Sequence, residues 1–224
     1  KPISFSRAKT ETLSAESKKL LADAWSLATP NGSSAYLALK GVGAFGTASS
    51  PAGALFVPMR DAAGELKNLQ RLEAPDANGK TKGPENSFLI KDQSIDGLHH
   101  VVGLIEPGKP FVFSAEYAEA AAIHQSTGLP VVVTFSDENT PSVVEQYLNK
   151  AIESNSRVVL HVKQASAEPT PNDPYSVLAA IPNVALLVAG GSQKIEGFEG
   201  FSGNSLAELM QQFGGKSVKS LIED

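Results

Sequence analysis

Residues 111–135 read FVFSAEYAEAAAIHQSTGLPVVVTF, and this stretch decides the predicted fold. It places an Ala-rich segment between two short apolar runs. The helical pattern over residues 117–127 ends at Gly128, with Pro130 just beyond it, which is a typical helix stop. Continuous apolar strands that alternate with helices are typical of a parallel sheet covered on both faces. We therefore predict a strand, a helix and a second strand as one unit of an α/β sheet.

The same alternation continues toward the C-terminus. The pattern predicts a helix over residues 141–154, a strand over 158–162, a short helix over 175–181, a strand over 184–189 and a closing helix over 205–213. In an open α/β sheet, ligands gather at the carboxyl ends of the parallel strands. The side chains that follow these strands are therefore the candidate site.

Upstream of residue 106 the pattern is different. Residues 54–59 and 66–72 predict an antiparallel hairpin, and residues 99–105 predict another strand in which the adjacent His99 and His100 point to opposite faces. Ser14 is a predicted N-cap of a helix. The apolar residues of this helix recur at helical spacing and are expected to be buried: Leu20, Leu21, Ala24, Trp25 and Ala28.

These patterns divide the chain into three predicted segments. They are an N-terminal helical segment over residues 1–50, an antiparallel β region over 51–105 and an α/β core over 106–224. Because the sequence starts at Lys1 without an initiator Met, we expect it to be part of a longer protein.

Composition excludes several classes of protein. The chain has 224 residues without a single Cys, so a disulfide framework, a thiolate metal site and a thiol nucleophile are excluded. No apolar run approaches the roughly 18 residues of a membrane span, and we expect a cytoplasmic protein with no membrane partner. Lys and Arg number 19 against 24 Asp and Glu, a net charge of −5, so the average field repels nucleic acid.

Several segments together resemble the TOPRIM domain of plasmid and phage DNA primases. They are residues 35–37 and 40–42, the run VPMRDAAGEL at 57–66 with LQR at 69–71, and residues 115–120 and 123–133. The resemblance spans most of residues 20–222. It implies a TOPRIM-like parallel sheet flanked by helices, magnesium-dependent chemistry and single-stranded or duplex DNA as a partner.

The acidic motifs of that family are degenerate in this chain. The family's Glu-Gly pair falls on Ala115 and Glu116 without a gap, and a one-residue gap restores Glu116 but deletes the Gly. Where the family has Asp-x-Asp, the chain has His161-Val162-Lys163, and the late acidic element reads Gly203-Asn204-Ser205. Magnesium needs several converging oxygen ligands. We therefore expect no cofactor, with Mg²⁺ as the alternative.

Each candidate residue of the acidic site has two possible roles. Glu116 is either a metal ligand or general base, or the carboxylate that caps the helix after it. Asp137 and Glu138 either complete a Mg²⁺ site with Glu116 or are solvated and cap the following helix. Lys163 either replaces a metal ligand and pairs with Glu116, or points into solvent.

Five basic residues of the hairpin region and its lead-in are candidates for nucleic-acid binding. The resemblance implies that they face a template strand, and the alternative is an ordinary surface on an acidic protein. They are Lys40, Arg60, Arg71, Lys80 and Lys82.

Three functions remain open from the sequence. The first is a non-catalytic, primase-derived domain of a larger plasmid replication or conjugative-transfer protein, acting through contacts with DNA, with other domains of that protein, or with replication and transfer partners. The second is an active Mg²⁺-dependent primase-type nucleotidyltransferase with a rebuilt acidic site. The third is a pure protein-interaction module.

Overall fold

The computed structural model describes residues 12–76, 79–81, 83–162, 177–178, 180–181 and 183–188. In these ranges the helices are α1 (Ala15–Ser26), α2 (Ala35–Lys40), α3 (Tyr117–Thr127) and α4 (Thr140–Glu153). The strands are β1 (Thr29–Pro30), β2 (Ala48–Ser49), β3 (Leu55–Arg60), β4 (Leu66–Leu72), β5 (Asn86–Phe88), β6 (His100–Val102), β7 (Phe111–Ser114), β8 (Val131–Val133), β9 (Val158–Val162) and β10 (Val184–Val188).

The first sheet is antiparallel and contains β1 to β5 in chain order. Its longest pairing is the β3–β4 hairpin, in which Leu55 lies opposite Leu72 and Arg60 lies opposite Leu66. The Asp61 carboxylate closes the connecting turn by accepting the backbone N–H groups of residues 63 and 65, at 3.0 and 2.9 Å. The predicted hairpin is confirmed.

Helix α1 covers one face of the first sheet. The Ser14 hydroxyl accepts the backbone N–H of Ser17 at 3.1 Å, which confirms the predicted N-cap. The prediction for Leu20 is wrong, because its side chain is 48% exposed whereas Leu21 is 2% exposed. The residues at positions i, i+3, i+4 and i+7 from Leu21 share one face of the helix, and Leu20 lies about 100° away from it.

The second sheet is mixed and has the strand order β10-β9-β7-β8-β6. Strands β10, β9, β7 and β8 are parallel, and β6 is added antiparallel to β8 at one edge. Helix α3 packs on one face and α4 on the other, as the alternation of strands and helices predicts. The fold is therefore mixed α/β, with an antiparallel sheet and a mixed sheet flanked by helices.

The adjacent histidines at the start of β6 lie on opposite faces of the second sheet. The His100 ring lies on the α3 face, with its centroid 6.1 Å from that of Tyr117, and the His99 ring lies on the α4 face, 5.3 Å from Tyr147. The prediction that the two rings face opposite sides is confirmed, since successive side chains of a strand alternate.

Helix α3 is the centre of the main core. Its residues Tyr117–Ile123 are all buried, because the helix lies between the second sheet and the inner face of β3. Strand β3 is buried on both faces: Leu55, Val57 and Met59 belong to the α3 cluster, and Phe56 belongs to the α1 cluster. A helix covered on all sides needs small residues, which explains its Ala-rich sequence.

Strands β1, β2 and β6 each belong to a sheet most of whose strands lie in a different predicted segment of the chain. β1 and β2, within residues 1–50, pair into the first sheet, and β6, within residues 51–105, pairs into the second. The division into three segments stays a prediction. The predicted helix over 205–213 and the Lys82 and Lys163 side chains lie outside the described residues. Within the described ranges, no helix is both long enough and apolar enough to cross a membrane.

Candidate functional site

The carboxyl edge of the second sheet brings β7 and β9 side chains into contact. The Ser114 hydroxyl lies 3.1 Å from Nδ1 of His161, and the two residues are 1% and 4% exposed. Ser114 and His161 face each other because β7 and β9 pair directly in this register. At this edge the two strands therefore contribute a hydroxyl and an imidazole, and neither is a carboxylate.

Glu116 occupies the N-cap position of α3. Its backbone is extended, with φ −118 and ψ 139, and its side chain makes no capping hydrogen bond. The predicted position at the positive end of the helix dipole is confirmed, but a capping hydrogen bond is not formed. Glu116 is exposed, whereas Glu119 in the first turn is only 2% exposed.

Asp137 and Glu138 lie in the turn between β8 and α4. The N-cap position of α4 belongs to Asn139, so the prediction that the Asp-Glu pair caps this helix is wrong. Glu138 is exposed, and the pKa of its carboxyl is lowered by its own backbone N–H and then by the Ser136 side chain.

Asn139 is the residue that fixes this turn, and it is not among the site residues predicted from the sequence. Its buried amide donates to the carbonyl oxygens of Thr134 at 2.6 Å and Leu98 at 3.0 Å, and it accepts the N–H of Gly97 at 2.8 Å. These bonds tie the β8–α4 turn to the segment before β6. No local pattern predicts them, because two of the three partners are more than 40 residues away in sequence.

Magnesium is the metal that the family resemblance implies, and it needs several convergent carboxylates. Among the described residues, no group of three or more His, Asp or Glu side chains could hold a metal ion. The described part of the carboxyl edge therefore does not fit a magnesium site. The individual roles suggested for Glu116, Asp137, Glu138 and Lys163 stay predictions.

Tyr36 of α2 lies beside the first turn of α3. Burial raises the pKa of its hydroxyl, and the negative charges of Glu116 and then Glu119 raise it further. Glu85 adds a smaller contribution of the same sign. The surroundings of this tyrosine are therefore negative, which opposes binding of a phosphate at this end of α3.

Tyr117 joins α3 to the loop that follows α2. Its hydroxyl donates to the Gly43 carbonyl oxygen at 3.0 Å and accepts the Phe45 N–H at 2.8 Å. His100 adds a bond from Nε2 to the Phe45 carbonyl oxygen at 2.8 Å, and Gln125 accepts the Gly43 N–H at 3.0 Å. Side chains of α3 and β6 therefore hold residues 43–45 in place through hydrogen bonds to the backbone of this loop.

The predicted basic residues are dispersed along the first sheet. Arg71 lies opposite Phe56, which is four residues from Arg60 along β3, a distance of about 13 Å. The Arg60 guanidinium donates to the Gly64 carbonyl oxygen at 2.9 Å, and Arg71 forms an ion pair with Glu73.

The remaining basic candidates lie outside this hairpin. The Lys40 ammonium lies 6.0 Å from the centroid of the Tyr36 ring, and Lys80 is exposed in the turn that Asp76 closes. The structure does not bring Arg60 and Arg71 together. Whether these residues bind nucleic acid stays a prediction.

Comparison with solved structures identifies the type of fold. No family model matches the chain, and no curated protein matches it in sequence. A structure of the DnaG primase catalytic domain bound to ssDNA is similar, with a TM-score of 0.56 and 12% identity over 92% of this chain and 77% of that chain. The chain has a primase-like fold.

A second primase structure has a comparable similarity. The primase fragment of the bacteriophage T7 primase-helicase protein matches with a TM-score of 0.52 and 14% identity, covering 86% of this chain and 75% of that chain. The predicted α/β fold with a TOPRIM-like sheet is confirmed at the level of the fold.

Proposed function

We propose that the chain is a non-catalytic, primase-derived domain of a larger plasmid replication or conjugative-transfer protein, located in the cytoplasm. The observation that supports it is the Ser114–His161 hydrogen bond, 3.1 Å long and buried at the carboxyl edge of β7 and β9. In the family that the sequence resembles, carboxylates follow these strands. A site for two divalent cations needs negatively charged ligands to offset their positive charge. A hydroxyl bonded to an imidazole supplies no such negative charge.

The charges near Arg71 and Tyr36 favour contact with protein over tight contact with DNA phosphates. Arg71 is neutralised by Glu73, and the N-terminal end of α3 contributes Glu116 and Glu119 near Tyr36. Phosphate affinity follows clustered, available positive charge. The similar DnaG structure is bound to ssDNA, which supports the DNA version of the proposal. We infer that single-stranded DNA binds weakly and that a protein partner provides the main contact.

Primer synthesis on single-stranded DNA tests the non-catalytic assignment. The chain is incubated with ribonucleotides and either Mg²⁺ or Mn²⁺, with an active primase catalytic domain as the positive control. We expect no metal-dependent product. The opposite result would be primer synthesis by the wild type that is abolished in Glu116→Gln and unchanged in Glu16→Gln. It would establish an enzyme with a rebuilt site. Glu16 is a matched control because it is an exposed glutamate at the N-terminal end of a helix, as Glu116 is.

Salt-dependent DNA binding separates the two kinds of contact. Fluorescence anisotropy with a labelled single strand is measured at several salt concentrations for the wild type, Lys80→Ala and Arg60→Ala. If DNA is the main partner, affinity falls steeply with salt, and each variant that removes a phosphate contact lowers the slope by about 0.7. We expect weak binding and no change of slope in either variant.

A further inference from the structure

A cavity of about 630 Å³ lies beside α4, away from the Ser114–His161 pair. It runs from the start of β6 along the C-terminal half of α4 to the loops that precede β7 and β9. Its inner wall is formed by His99, Phe111, Tyr147 and Ala151, with Ile105 and Pro107 on the loop side. The volume lies within the range of small-molecule sites in proteins.

The inner wall is aromatic. The Tyr147 ring is perpendicular to that of His99, with an interplanar angle of 81° and 5.3 Å between centroids, and it lies 6.1 Å from the Phe111 ring. Rings that are packed edge to face in this way keep their orientation, so the wall is apolar and its rings are held at fixed angles to one another. Such a wall favours a ligand with an aromatic ring, which can contact one of these rings edge to face or in an offset stack.

Two polar groups on this wall are available to a ligand. The Tyr147 hydroxyl makes no hydrogen bond within the described part of the chain, and burial alone raises its pKa to about 12, so it stays protonated. His99 is 8% exposed, and burial lowers the pKa of its ring. Its Nδ1 is 3.3 Å from the Gly97 carbonyl oxygen, which leaves Nε2 as an acceptor in the neutral ring.

The charges at the mouth of the cavity balance. Lys150 and Glu153 lie on the last turns of α4, and Glu106 opposite them forms an ion pair of 3.0 Å with Lys109. The mouth therefore has no excess of either sign to attract an ion. A neutral ligand fits this surface better than a phosphate ester or an amine.

We propose that this cavity binds an uncharged, planar heteroaromatic compound that carries a hydrogen-bond donor and an acceptor on one edge. The ring packs against Tyr147, which is half-buried, because Phe111 is only 2% exposed. Its acceptor receives the Tyr147 hydroxyl proton, and its donor points to Nε2 of His99. The site is separate from the carboxyl edge of the second sheet, so the proposal does not depend on the function proposed above.

Adenine is a suitable probe, because it is neutral, planar and has a donor and an acceptor on one edge. Binding is followed by two-dimensional NMR on the whole chain, which reports both affinity and the residues that are affected. We expect saturable shifts at residues 99, 147 and 151. Adenosine monophosphate, which adds negative charge to the same ring, is expected to bind no more tightly.

Two variants test the assigned contacts. Tyr147→Phe removes one hydrogen bond and should weaken adenine binding about three- to tenfold while leaving the other shifts in place. Ala151→Phe fills the cavity and should abolish saturable binding, with Ala22→Phe on the exposed surface of α1 as the matched control. Absence of saturable shifts in the wild type would overturn the proposal. So would binding that both Tyr147→Phe and Ala151→Phe leave unchanged.

Discussion

The clearest test of the contact between α3 and the loop at residues 43–45 is the removal of the Tyr117 hydroxyl. This group makes two hydrogen bonds, at 2.8 and 3.0 Å, to the backbone of residues 43–45, and the side chain is 1% exposed. In Tyr117→Phe, the Phe45 N–H and the Gly43 carbonyl lose their partner. A buried polar group left without a partner costs about 1–3 kcal/mol, and both backbone groups are half-buried, so water compensates in part. We expect a loss of about 2 kcal/mol in the free energy of unfolding.

Tyr147→Phe is the matched control for this experiment. It removes a hydroxyl that makes no hydrogen bond in the described part of the chain, so its free energy of unfolding should change by less than about 0.5 kcal/mol. Urea unfolding is followed by circular dichroism and by the fluorescence of Trp25, the one tryptophan of the chain. The expected loss corresponds to a midpoint shift of about 1 M urea for Tyr117→Phe.

Hydrogen exchange gives a local measure of the same bond. The Phe45 amide should exchange about 30-fold faster in Tyr117→Phe, which is the expected loss converted at 1.4 kcal/mol per factor of ten. Equal urea midpoints for the two tyrosine variants, together with an unchanged Phe45 amide, would refute the reasoning.

Two further predictions follow from His100 and from a pair of glycines. Burial lowers the pKa of His100 from 6.5 to about 4, so between these values the unfolded chain binds a proton that the folded chain does not. Stability should therefore fall as the pH falls from 6.5 to 4, by up to about 3 kcal/mol, and His100→Gln should lose this contribution in urea titrations at several pH values. If the pH profiles of the wild type and His100→Gln run parallel, the assignment is wrong. Gly103→Ala should lower the melting temperature more than Gly64→Ala: both positions have positive φ, +83 and +81, but only the first brings the new Cβ to 2.8 Å from the His124 ring. Equal losses in the two glycine variants would contradict the described contact.

Local patterns predicted the elements whose signals are complete within a few residues. The α3 helix was predicted because Gly128 ends it and the flanking strands are continuous apolar runs. The opposite orientation of His99 and His100 follows from the alternation of a strand alone. Both predictions depend on neighbouring residues only, and the structure confirms them.

The remaining features depend on contacts between distant parts of the chain. Strand β6 continues the antiparallel region in sequence, but it pairs with β8, about 30 residues later. The Tyr117 hydroxyl reaches a loop more than 70 residues earlier, and Ser114 meets His161 only after β7 and β9 have paired. A tyrosine or a serine gives no sign of such a partner in its own segment.

The candidate site also depends on contacts between distant residues, which the sequence alone does not predict. The sequence located the carboxyl ends of the strands. It did not identify Asn139, which orders the β8–α4 turn through three backbone partners. The negative surroundings of Tyr36 were also missed, because α2 and α3 are brought together only by the fold.

The number of manganese ions bound per chain tests the central claim most directly. Mn²⁺ is a spectroscopic substitute for magnesium, and electron paramagnetic resonance distinguishes free from bound ion. If the carboxylate cage has been lost, as we propose, no manganese binds stoichiometrically, and the free-ion signal is the same for the wild type and Glu116→Gln. One or two tightly bound ions per chain in the wild type, lost in Glu116→Gln, would contradict it.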